Sequence, residues 1–125
     1  MQERRQTVRV LCEVPTQFRN LDTDSMQPIS NATVTNISRN GVCIQTDQFI
    51  PIQARLYIYL SLPDQPTIEV RVAPAWVAEL PHSGKYEIGG RFVDMGPESE
   101  ETIQNFQYQT LLQRMPHRKN YPQDL

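Results

Sequence analysis

The chain has 125 residues, of which 38% are hydrophobic and 21% charged, enough for one buried core and too few for two ordinary domains. Lys and Arg number 12 against 14 Asp and Glu, a formal net charge of −2, which disfavours holding a long polyanion through many released counterions. No apolar run approaches the roughly 20 residues of a membrane span, and the polar residues 1–9 lack the pattern of a signal peptide, so a cytoplasmic protein is expected.

Residues 8–18 alternate and extend as a first strand, with Pro15 confining its pairing to an edge or a bulge. The polar stretch 19–31, with Asp22, Asp24, Ser25 and Pro28, reads as a loop; its two carboxylates lack calcium-loop spacing. Two short β-type runs, 32–37 and 42–46, flank Ser38-Arg39-Asn40-Gly41, and Asn-Gly suits the positive φ angles of a tight hairpin. Leu56, Ile58, Leu60 and Leu62 alternate with polar or aromatic residues, the period of a half-buried strand. Ile68, Val70 and Val72 begin another, which bends at Pro74 and continues to Leu80. After the turn 81–84, Tyr86, Ile88, Gly90 and Phe92 share one face of a last strand, where Gly89 and Gly90 admit a close backbone.

From Pro97 the pattern becomes helical, with Glu98, Glu100 and Glu101 complementing the helix dipole. Ile103, Phe106, Leu111, Leu112 and Met115 form a broad apolar stripe expected to pack on the strands, and Pro116 ends the helix. The resulting expectation is an all-β domain with a C-terminal helix: a six-stranded antiparallel barrel over residues 10–115, a flexible arginine arm over 1–9, and a frayed tail over 116–125. Cys12 and Cys43 have no metal-ligand spacing and read as reduced core or face residues.

Catalytic signatures are missing. There is no GxSxG, HExxH or GxxxxGK[ST], and His82 and His117 stand in a turn and a tail, so no enzyme activity and no cofactor are expected. Two motifs remain. Arg5-Gln6-Thr7-Val8-Arg9 is an RxxxR, and Asn36-Ile37-Ser38-Arg39-Asn40-Gly41 is a [D/N]xSxxG. In order and separation this pair resembles PilZ domains; Gly89-Gly90-Arg91-Phe92 is similar to that family's last strand, and the likeness extends from Arg4 to about Met115.

The resemblance implies a six-stranded split barrel that binds the bacterial second messenger cyclic di-GMP as a non-catalytic sensor. Each motif also has a plainer explanation: arginines keep an edge strand soluble, and Ser38, Asn40 and Gly41 build a turn. In the functional reading, the planar forks of Arg5 and Arg9 bond to phosphate and to guanine O6 and N7. Asn36 and Ser38 offer acceptors, and Gly41 lets the ligand approach the backbone. Arg4, next to the RxxxR, implies an intercalated pair of cyclic di-GMP molecules per domain. Trp76 stacks on a base or sits in the core; Arg91 adds positive potential or pairs with Glu87 or Glu69.

On this reading the arm folds onto the barrel when ligand binds and signals to a protein partner or tethered output domain. No membrane or nucleic-acid polymer is expected as a partner. Two rival functions are a PilZ-like interaction module without a nucleotide, and a single-strand nucleic-acid binder using Tyr57 and Tyr59 as stacking platforms.

Overall fold

The computed structural model describes residues 8–22 and 29–115. Six strands precede one helix: β1 (Val10–Asn20), β2 (Ser30–Ile37), β3 (Gly41–Thr46), β4 (Leu56–Leu60), β5 (Ile68–Leu80), β6 (Lys85–Val93) and α1 (Pro97–Arg114). Every pairing is antiparallel, and the order β1-β2-β3-β6-β5-β4 closes into a barrel. Closure is partial along β1. Only Gln17–Asn20 pair with β4, whereas β2 pairs with β1 from Val10 onward. Pro15, which has no N–H to donate, therefore lies where β1 has one neighbour, as its chemistry requires.

Period-2 alternation fills the interior. Val10, Val14, Phe18, Val34, Ile44, Ile58, Leu60, Val70, Val72 and Ile88 belong to one buried cluster, joined by Ile103 and Phe106 of α1. The expected loop 19–31 is shorter than the sequence indicates, because β1 runs on through Arg19 and Asn20 and β2 starts at Ser30. These polar ends satisfy ladder bonds at the barrel rim, where a polar side chain meets solvent and alternation fades. Asp22, beyond β1, binds the start of β4: its carboxylate accepts from the Arg55 backbone N–H at 3.0 Å and from Arg55 Nε at 2.6 Å. Asp24, Ser25 and Pro28 lie outside the described residues.

Two further expectations need correction. Neither Asn40 nor Gly41 has a positive φ; among the described residues that conformation occurs at Asp64, His82, Gly84 and Asp94. Glycine is required at 41 for space instead, because a Cβ there would meet the carbonyl oxygen of Gly90. The helix, secondly, does not lay its whole apolar set on the barrel. Thr102, Ile103, Phe106 and Gln107 are buried, whereas Leu111, Leu112 and Met115 are 40–49% exposed. These two sets occupy different sides of the helix, so what reads as one broad stripe is two.

Both cysteines are free thiols; Cys43 is buried and Cys12 half-buried, where its Sγ donates to Val34 O at 3.7 Å. Desolvation is the main influence raising both thiol pKa values, and they stay protonated at neutral pH. Unfolding lowers the pKa toward its ordinary value, so any stability these groups add is lost as pH climbs above that value, not below it. A thiol-labelling time course at pH 8 should therefore show Cys43 modified only as fast as the barrel opens, and at once in denaturant. Immediate labelling of Cys43 in the native protein would contradict this burial.

Candidate functional site

β1 enters the barrel with Val10 opposite Ile37, so Arg9 arrives beside Ser38, at the turn that joins β2 to β3. The Arg9 end of the leader thus lies beside the hairpin. Arg9 Nη1 donates to Asn36 Oδ1 at 2.9 Å, which joins the end of the RxxxR to the start of the [D/N]xSxxG. Asn36 holds its place at an irregular point in the sheet, with register shifts on both its neighbours, between Leu11 and Val14 and between Val34 and Asn36. Such bulges re-aim side chains.

The hydroxyl of Ser38 is engaged within the turn. Its Oγ accepts from the backbone N–H groups of Asn40 and Gly41, both at 3.2 Å, and it is nearly fully buried. Ser38 N–H in turn donates to Gly41 O at 2.9 Å. Ser38 therefore fixes the backbone shape of the motif, as the plainer explanation has it, although it still borders the cavity beyond. Asn40 O accepts from Phe92 N at 2.9 Å, tying the turn to β6.

β6 completes the site. Gly41 pairs with Arg91 and Cys43 with Gly89, and on the other side Trp76 of β5 pairs with Gly89 after a register shift between Pro74 and Trp76. Trp76 is 43% exposed, so it is not a core tryptophan. Its indole lies against Gly89, where an added Cβ would meet ring atoms Cε2, Nε1 and Cζ2. One cavity of about 320 Å³ results, lined by Arg9, Ser38, Asn40, Trp76 and Arg91 over a floor of Gly41, Gly89 and Gly90.

The cavity is cationic. Among the described residues, Arg9 and Arg91 are its charged lining residues, and no carboxylate lines it. Arg91 does not take the cross-strand partners considered for it: Glu87 accepts from Gln45 Nε2 at 3.4 Å, and Glu69 accepts from Tyr57 Oη at 3.0 Å. A local positive site thus exists on a chain of net charge −2, and a low-dielectric aromatic wall strengthens its field. Five of the eight residues singled out in the sequence line the cavity, Arg9, Ser38, Gly41, Trp76 and Arg91, and Asn36 joins it through Arg9. Arg4 and Arg5 lie outside the described residues.

Asn40, Val42, Ala75, Gly89 and Gly90 also line the cavity without having been assigned to it in the sequence. Counting back from the turn 81–84 in unbroken register, with Leu80 opposite Lys85, brings Trp76 opposite Gly89, so hairpin register was the signal that could have found Gly89. Tyr57 and Tyr59, by contrast, face each other edge to face, 5.6 Å apart at 84°, beside Glu69. That geometry and a neighbouring carboxylate suit a nucleic-acid platform poorly. Among the described residues no cluster of three or more His, Cys, Asp or Glu could hold a metal ion, and no helix is long and apolar enough to cross a membrane.

A closed six-stranded antiparallel barrel with one terminal helix, carrying an arginine-lined cavity where the first strand meets the second hairpin, defines the class of domain. The model of the PilZ domain family matches residues 3–109, and the chain belongs to that family.

Solved structures share the fold at low sequence identity. The PilZ domain of YcgR from Escherichia coli, solved with c-di-GMP, is 13% identical with a TM-score of 0.69, over 88% of this chain and 93% of that one. The K. pneumonia MrkH–c-di-GMP complex is 12% identical with a TM-score of 0.69, over 86% of this chain and 52% of MrkH. The Bacillus subtilis inhibitor of motility MotI/DgrA is 18% identical with a TM-score of 0.68, over 90% of this chain and 53% of that protein. The chain thus spans about half the length of MotI/DgrA and of MrkH. No curated protein sequence matches it.

Proposed function

We propose that this domain is a non-catalytic cytoplasmic receptor for cyclic di-GMP. The observation that carries the reading is the cavity itself: two guanidiniums, a part-exposed indole and a bare glycine floor, with no carboxylate among the described lining residues. Guanidinium forks match phosphate oxygens and the guanine O6/N7 edge, the indole offers a face for a purine, and glycine lets a planar base approach the strands. Structural neighbours solved with c-di-GMP support the choice of ligand.

At about 320 Å³ the cavity is at the small end for a ligand pocket, and it covers part of a cyclic dinucleotide. The rest of the cover comes from the chain preceding Arg9, where Arg4 and Arg5 supply two more forks. Ligand binding draws this segment onto the barrel face and so changes the surface offered to a protein partner or tethered output domain. With Arg4 present, two intercalated ligands occupy each domain. Calorimetric titration with cyclic di-GMP, with GTP and cyclic AMP as controls, should give saturable binding of cyclic di-GMP alone at two ligands per chain. A stoichiometry of one would remove the intercalated pair; no heat with any nucleotide would remove the receptor reading and favour an interaction module.

A further inference from the structure

We infer that Gln107 of α1 is a positioning residue for Arg9, holding the Val8–Arg9 peptide so that the guanidinium stands at the cavity mouth. Its side chain is buried, on the side of the helix that also buries Thr102, Ile103 and Phe106. From there Nε2 donates to the backbone carbonyl of Val8 at 2.8 Å, across 99 residues of sequence. Val8 precedes β1, whose pairing with β2 opens with Val10 opposite Ile37. Gln107 thus supplies an anchor where the sheet has yet to begin.

The donor is fixed, and what it holds is next to the site. Ile103 and Phe106 belong to the buried core cluster, so the turn of α1 that carries Gln107 is seated on the barrel. The peptide plane that contains Val8 O also contains the N and Cα of Arg9. One bond to that carbonyl therefore sets the base from which the Arg9 side chain extends. Its far end is set by Asn36, whose Oδ1 accepts from Arg9 Nη1 at 2.9 Å. A long side chain held at both ends has less rotamer freedom to lose when a ligand arrives, which is how preorganisation adds affinity.

Stability alone does not call for an amide at this position. Replacing a hydrogen-bonded polar group by an apolar one of similar shape is costly where it strands a buried partner. Val8 is exposed, so its carbonyl can turn to water once the donor is gone. Met matches Gln in length and in helix propensity. What it cannot do is hold the carbonyl, so Gln107→Met loosens the arginine and spares the fold.

The effect on affinity rests on the receptor reading, but the contact itself is testable without a nucleotide. NMR of the parent chain should show NOE cross-peaks from the Gln107 side-chain amide protons to the Val8 and Arg9 backbone, and an Arg9 amide as rigid as those of β1. Gln107→Met should raise fast motion at Arg9, leave Val10 onward unchanged and keep the melting temperature within a degree or two. Cyclic di-GMP binding should weaken by about three- to tenfold, the worth of one neutral hydrogen bond. In an Arg9→Ala background the same substitution should change affinity by less than about twofold, because the group it positions is gone.

Missing cross-peaks in the parent, or an Arg9 as rigid in Gln107→Met as before, would overturn the proposal whatever the nucleotide result. So would an equal loss of affinity in both backgrounds or a large fall in melting temperature, either being the mark of a general structural role. If the parent binds no nucleotide, the receptor reading falls while the NMR result still decides whether Gln107 anchors Arg9; if the parent binds and the two substitutions act independently, the positioning role alone falls.

Discussion

Replacing Gly41 by alanine is expected to lower the stability of the barrel by about 1–3 kcal/mol and to eliminate nucleotide binding. The cause is local and backbone-to-backbone. A methyl at 41 points into the carbonyl of Gly90 on the paired strand, and a carbonyl held in a sheet cannot swing aside as a flexible side chain can. Relief requires parting β3 from β6 next to the turn, where Ser38 Oγ binds Gly41 N–H and Phe92 N–H binds Asn40 O. That movement also lifts Arg91 away from the cavity floor, so the same substitution damages fold and site together. Gly96→Ala is the control: its added Cβ meets nothing within 4 Å and its φ of −75° suits alanine. Urea denaturation should give Gly96→Ala a stability equal to or slightly above the parent. Equal midpoints for Gly41→Ala and the parent would show that β3 and β6 are not as close as described.

The same glycine marks the boundary of what sequence reading can reach. Asn40-Gly41 correctly signals a turn, but the dipeptide rule supplies positive φ as the reason, whereas the residue is needed for contact with a strand about 50 residues away. Local rules see φ preferences; they do not see which strand lies alongside. The strands themselves were legible because a half-buried barrel imposes alternation on Leu56–Leu60 and on the first part of β5. Legibility failed at Arg19, Asn20, Ser30 and Asn31, where pairing continues past the covered core. It failed also in α1, since a list of apolar residues does not say how many faces they occupy. For the site, motif residues identified Arg9, Ser38 and Gly41; the indole on Gly89 follows from the register of the β5–β6 hairpin, whereas the shift beyond it that sets Pro74 beside Gly90 is one that period-2 patterning cannot locate unaided.

Arg9→Ala is expected to weaken cyclic di-GMP binding by about 10- to 100-fold while leaving the melting temperature within a degree or two. Removing a charge-assisted bond forfeits roughly 1.5–3 kcal/mol of affinity. The stability side is small, because Arg9 is exposed and its bond to Asn36 Oδ1 is that of a surface pair. Arg9→Lys separates charge from shape. An ammonium keeps the attraction to phosphate but loses the planar fork and the fixed reach to Asn36, so it should restore only part of the loss.

Asn36→Asp tests the positioning from the other side. A carboxylate in place of the amide turns the 2.9 Å contact into an exposed ion pair of about 0.2–1 kcal/mol. The pair holds Arg9 near the rim while offering an acceptor to guanine N–H groups, so affinity should change by less than about tenfold in either direction. A calorimetric series of the three variants separates these contributions. If Arg9→Ala binds as tightly as the parent, the guanidinium at the cavity mouth does not touch the ligand, and the electrostatic basis for the receptor reading falls back on Arg91 and the preceding arginines alone.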